Sequence, residues 1–247
     1  MLNYMRADFY RISHRLVRWI LFALMTIGLV LMHWPSKGEQ PTYPELLSGI
    51  ESLVSFIPVL YGTLEMIFVF GDDFKGKTSQ IAIGLGVSRL KVILSKWLVF
   101  TLTCFFDLVV FSLAMWLGSN LMYQSKIPAG LLPELFAHVL IATIGVAAYS
   151  ASLLWILFLA QNITVALLFY VALSTTLVNF GITMLADQEW IQRFHISSYT
   201  LSNSLNVFRS RMVLGSFHFM SLLGILIYIA IGLGAAYLAY RHKELEF

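Results

Sequence analysis

Gly71, Gly76, Lys77 and Thr78 satisfy G-x-x-x-x-G-K-[ST], the pattern of a nucleotide-binding P-loop. In a P-loop a buried β-strand delivers a glycine-rich loop to a helix N-terminus, whose N–H groups cradle phosphates. Here the preceding residues 65–70, EMIFVF, end an apolar run, and no βαβ pattern surrounds them. Asp72 and Asp73 fall inside the would-be loop, where they would repel a triphosphate. No later hydrophobic strand ends in a magnesium-binding aspartate, so the match is read as coincidental. Two further carboxylates, Glu65 and Asp107, stand inside apolar runs. There an ionisable side chain is costly and must face another helix, water or a partner. No H-E-x-x-H, no G-x-S-x-G and no grouping of carboxylates with histidines at one depth is present, which leaves no catalytic or metal-site signature.

The elements that must carry these residues are membrane helices. The 247 residues are 59% hydrophobic and 12% charged, with net charge +3 and mean hydropathy +0.80. Soluble chains carry about 25% charged residues. The apolar residues fall in blocks of about 20, the length that crosses about 30 Å of hydrocarbon. The single cysteine, Cys104, lies inside one block and excludes a disulfide framework within the chain. The expected fold is an all-α integral membrane protein, one transmembrane domain over 1–247. Residues 1–15 form an amphipathic elbow helix, with Leu2, Met5, Phe9 and Ile12 in lipid and Arg11, Arg15 and Arg18 toward headgroups. A secretory signal peptide is the rival reading of this end. Six spans follow, over about Leu16–Met32, Leu53–Phe70, Trp97–Leu117, Leu135–Leu159, Ile163–Leu185 and Phe217–Tyr240. Only Gln161 and Asn162 separate the fourth and fifth, which makes them a tight hairpin. Of the 16 Lys and Arg residues, 11 fall in the N-terminal arm, the 71–96 interval and the tail. By the positive-inside rule both termini and that interval are cytoplasmic.

Within 71–96, Asp73 can begin a short helix, since carboxylates suit a helix N-terminus. Ile81, Leu85 and Ala82 would form its apolar face, Gly84 and Gly86 its break, and Ser88 the N-cap of the next helix. Lys91 and Lys96 then lead into the third span. The external segment 187–216 opens with Asp187, Glu189, Trp190 and Arg193, and then runs uncharged from Ile196 to Phe208. Those 13 residues are too few to span, so the segment is either re-entrant or an ordinary loop. Asp107 lies ten residues past Trp97, about 15 Å into the third span. Hydrogen bonding to Thr103 or to a neighbouring span and a role in a pathway are both open for it. Glu65, near the cytoplasmic end of the second span, suits structure or gating. His33 and His138 are read as interfacial. Gly145, Ala147, Ala148, Ser150 and Ala151 give the fourth span a small-residue stripe for close packing.

Asp73, Gly76, Thr78, a short apolar helix, a break, Val87-Ser88-Arg89, then Lys96 at the head of a span: this order resembles the first cytoplasmic loop of ABC-2-type permeases. The likeness extends to the elbow, the six spans and the segment before the sixth. It departs at Lys77, which separates Gly76 from Thr78, and at Gly86, where the family often has proline. The resemblance implies a coupling helix docked on a separate ATPase subunit through Ile81, Leu85, Arg89 and their neighbours. ATP and magnesium would be held by that subunit, with no cofactor in this chain. It further implies a second permease subunit, identical or not, and a bacterial plasma (inner) membrane setting. The cargo implied is an amphipathic peptide such as a toxin or bacteriocin, with drugs, lipids and lipid-linked glycans as alternatives; nucleic acid is not implied. Outside the resemblance, the rival reading of 71–96 is a solvated anchor for the third span. The chain itself can be a membrane-embedded enzyme using Asp107 and Glu65, or a non-transporting scaffold.

Overall fold

The computed structural model describes residues 1–32, 43–76, 78–122, 131–175, 181, 184, 200–213 and 215–241. Its elements are helices: α1 (Leu2–Ser13), α2 (Leu16–Met32), α3 (Tyr43–Gly76), α4 (Thr78–Gly84), α5 (Arg89–Met122), α6 (Leu131–Ala160), α7 (Ile163–Ser174), α8 (Leu201–Val213) and α9 (Phe219–Arg241). Among the described residues α5, α6 and α9 are long and apolar enough to cross a membrane. Helices α1 and α2 meet that test only together, and they are bent by 65° at residues 14–15. The expected second span lies within α3, which continues past it to Gly76. The expected fifth span begins as α7, and most of its second half lies outside the described residues. So do Lys37, Glu39, Lys77, Lys126, Pro128, His33, Asp187, Glu189, Trp190, Arg193 and Ile196.

Helix ends follow local chemistry. Gly86 adopts φ +92°, its N–H donates to the Ile83 carbonyl at 2.9 Å, and the Val87 N–H donates to the Ala82 carbonyl at 3.1 Å. These are the two bonds of a Schellman cap, which needs a residue in the left-handed region and therefore favours glycine. Between α6 and α7, Gln161 turns the chain at φ 49°. Asn162 then caps α7 by accepting from the Thr164 N–H at 2.9 Å. The two-residue hairpin expected at this point is therefore built as an αα corner.

The core is a continuous apolar cluster shared by α2, α3, α5, α6, α7 and α9, including Tyr61, Phe70, Phe100, Phe111, Leu154, Phe158 and Tyr170. The small-residue stripe of α6 does what its composition requires. Ala147, Ala148, Ser150 and Ala151 are buried, and α9 packs along them. A Cβ placed on Gly232 would stand 2.4 Å from the Ala151 carbonyl oxygen. Trp97 fixes the neighbouring contact by donating from its indole nitrogen to the Ala147 carbonyl at 3.0 Å. Helix α8, at 13 residues too short to span, packs on α6 and α9 through Leu205 and Phe208. Its N-terminal residues Thr200–Ser202 share a cavity of about 280 Å³ with Ile231, Gly232 and Ala235. The start of α8 thus lies beside the middle of α9.

Candidate functional site

Two charged clusters join the N-terminal helices to the rest of the fold. The deeper one centres on Arg18, in the first turn of α2. Its Nε donates to Glu65 Oε1 at 2.6 Å and its Nη2 donates to Asp107 Oδ1 at 2.6 Å. All three are enclosed, with relative exposures of 3%, 0% and 1%. One guanidinium therefore ties α2 to α3 and α5 with charge-assisted bonds, using a planar fork suited to two carboxylates. The expectation that Arg18 points to headgroups is corrected: it lies inside the apolar α2, where its lowest-energy partners are the two buried carboxylates. The expected partner of Asp107 is corrected as well. Thr103 donates to the Val99 and Phe100 carbonyls of its own helix instead. About two turns further along α2, Thr26 bonds the Tyr61 hydroxyl at 2.8 Å.

The second cluster sits where α1 crosses the end of α3 and the start of α5. Lys96 Nζ is fully buried, 2.5 Å from Asp8 Oδ2 and 2.6 Å from Asp73 Oδ2. Arg11 reaches Asp8 and Asp72 at 3.2 Å and Asp73 at 3.7 Å, and Arg15 pairs with Asp72. Three cations thus meet three carboxylates. Arg11 and Arg15 serve α3 rather than headgroups, and Lys96 is an interior cation rather than a lipid-surface anchor. The apolar side of α1 is also not wholly in lipid. Ile12 is buried in the core, and Phe9 stands edge-on to Phe106 of α5 with ring centroids 6.0 Å apart. Burial pushes the Asp8 carboxyl above its ordinary range, against the opposing pull of Lys96. Burial, with Asp73 and Asp8 alongside, pushes the Tyr4 phenol up too.

Asp73 does not begin a helix. It lies in the last turn of α3, because the helix runs through Gly71 and Asp72 instead of stopping at Phe70. Arg11 and Arg15 neutralise the carboxylates that would otherwise disfavour this C-terminal end. Asp73 instead accepts from the Thr78 hydroxyl and from the Ser79 hydroxyl at 2.9 Å, and so fastens the first turn of α4 to α3. The P-loop pattern accordingly falls on helix from Gly71 to Gly76, with the Thr78 hydroxyl held by Asp73.

The remaining residues singled out in the interval divide in two. Ile81 on α4 and Leu85 in the turn just past it are 53% and 81% exposed, while Ala82 turns inward. Val87 and Ser88 form the short extended link, and the Ser88 carbonyl accepts from the Val92 N–H at 3.1 Å as α5 begins. Arg89 faces the other way. Its Nη1 donates to the Tyr240 carbonyl and, at 2.7 Å, to the Arg241 carbonyl. Those groups are the unpaired acceptors at the end of α9, where a cation is favoured. Arg89 thereby joins the start of α5 to the end of α9. His138, expected at the interface, is buried, with Nδ1 2.7 Å from the Glu134 carbonyl oxygen.

The sequence signal for the deeper cluster was available. Arg18, Glu65 and Asp107 are ionisable residues inside apolar runs, and such residues seek one another. No family model matches the chain, and no curated protein matches it.

Proposed function

We propose that this chain is the membrane-spanning permease subunit of an ATP-driven exporter of the ABC-2 type. The observation that carries the proposal is α4 with the turn that ends it: a seven-residue helix with Ile81 exposed on it and Leu85 exposed just past its last residue, while Asp73 bonds Thr78 and Ser79 at its base. An exposed apolar pair on a helix fastened to a long helix is suited to receive force from a docked subunit. In this reading the chain has an elbow, six spans, cytoplasmic termini and a re-entrant α8 in a bacterial plasma membrane. A separate ATPase subunit binds ATP and magnesium and docks on α4. A second permease subunit completes the pathway, and the cargo is an amphipathic peptide. The cargo and the family rest on the resemblance of the 71–96 interval. The enzymatic alternative loses ground because Glu65 and Asp107 are enclosed and paired with Arg18.

Purification of the tagged chain from its native membranes tests the proposal. An ATP-hydrolysing subunit should accompany it, and Ile81→Glu with Leu85→Glu should abolish that association while leaving the yield of folded chain unchanged. Association that survives the double substitution would remove α4 as the docking element.

A further inference from the structure

The deeper cluster does not balance, whereas the cluster around Lys96 does. Arg18 supplies one positive charge and Glu65 and Asp107 supply two negative ones if both are ionised, a net of minus one in a site with almost no exposure. Each carboxylate gives one oxygen to Arg18. The other two, Glu65 Oε2 and Asp107 Oδ2, are buried without a hydrogen-bond donor. Arg18 holds both carboxyl groups on one guanidinium, Glu65 through Nε and Asp107 through Nη2. Two carboxylates gathered on one cation repel each other unless one of them carries a proton. An unpaired charge in an apolar interior is among the most costly arrangements available to a protein.

Among the described residues, the surroundings offer no other source of positive charge. From α3 the neighbouring titratable group is Tyr61 and from α5 it is Cys104, a phenol and a thiol. From α1 the neighbours are Phe9, Ile12 and Ser13, which line a cavity of about 320 Å³ ending on Arg18 and Asp107. Trp19, Thr103, Phe106 and Val110 complete its lining.

We infer that Glu65 and Asp107 form a proton-binding site inside the membrane domain, sharing one proton beside Arg18. The proton is taken from water by one carboxylate oxygen and donated to the facing oxygen of the other acid. The site then holds one positive and one negative charge, and every oxygen in it has a partner. This inference is independent of the transport proposal and stands or falls on its own measurement.

Infrared spectroscopy of the purified protein in lipid nanodiscs at neutral pH tests it. The wild type should show the carbonyl stretch of a protonated carboxyl group, shifted on transfer to D2O. Side-chain carboxyl ¹³C labelling of either aspartate or glutamate in the wild type should move the band, without any substitution. Asp107→Asn and Glu65→Gln should each remove it, since an amide N–H replaces the shared proton, and Asp8→Asn should leave it in place. Absence of a protonated carboxyl band in the wild type at neutral pH would overturn the inference. So would a band that neither labelling moves, or one that disappears when sodium is added and so marks a metal cation as the occupant.

Discussion

Replacing Lys96 by methionine isolates the contribution of the cluster that holds α1. The substitution keeps an unbranched chain of similar length and removes the only fully buried cation of that cluster. It leaves Asp8 with Arg11 at 3.2 Å, and Asp73 with the Thr78 and Ser79 hydroxyls and a more distant Arg11. Removing one partner of a buried ion pair costs about 3–5 kcal/mol. Because Asp73 keeps two hydroxyl donors, the lower end, about 3 kcal/mol, is expected here. At about 1.4 kcal/mol per tenfold, that raises the population with α1 detached about 100-fold. Trypsin reports this directly: cleavage after Arg11 and Arg15, slow while both are paired with Asp72, should accelerate by a similar factor. Adding Asp8→Asn restores two cations against two carboxylates in the cluster and should recover at least half of the loss. Cleavage of Lys96→Met at the wild-type rate, or a double variant cleaved faster than the single one, would refute the reasoning.

Two further outcomes follow from the packing. Gly232→Val places a side chain against the backbone of Ala151, an overpacking of about 1–3 kcal/mol or more, and should lower the thermal unfolding temperature in detergent. Gly234→Val, with open space at its Cβ, should have a smaller effect. Arg89→Gln withdraws the guanidinium from the Tyr240 and Arg241 carbonyls, at a cost of about 1–2 kcal/mol. Hydrogen exchange should quicken in the last turn of α9, and the exposure of Leu85 should be unaffected.

The elements were more legible in the sequence than their pairings. The span from Leu16 to Met32 coincides with α2, because an apolar run bounded by polar residues leaves a helix few other ends. Gly86 and Asn162 announced their turns through backbone and capping chemistry that acts within a few residues. Asp73 was misplaced because a glycine and two aspartates at 71–73 read locally as a helix break. The structure carries α3 through them by bringing Arg11 and Arg15 from 57 or more positions away in sequence. The destinations of Arg18 and Lys96 were hidden for the same reason. A long cation at the edge of an apolar run can reach headgroups or turn inward, and the choice depends on carboxylates supplied by other helices. Arg89 stayed ambiguous because its acceptors are backbone carbonyls, which no residue type marks.

Cross-linking at α4 in native membranes addresses the central claim most directly. Cys104 is the only cysteine and is fully buried, so Leu85→Cys introduces the one accessible thiol among the described residues. A short thiol-directed photocross-linker there should yield a single adduct with an ATP-hydrolysing subunit, and ATP should change its yield. The same linker at Gly234→Cys on α9 should yield none. Absence of any ATPase adduct from Leu85→Cys, in membranes where the chain is folded and labelled, would contradict the account.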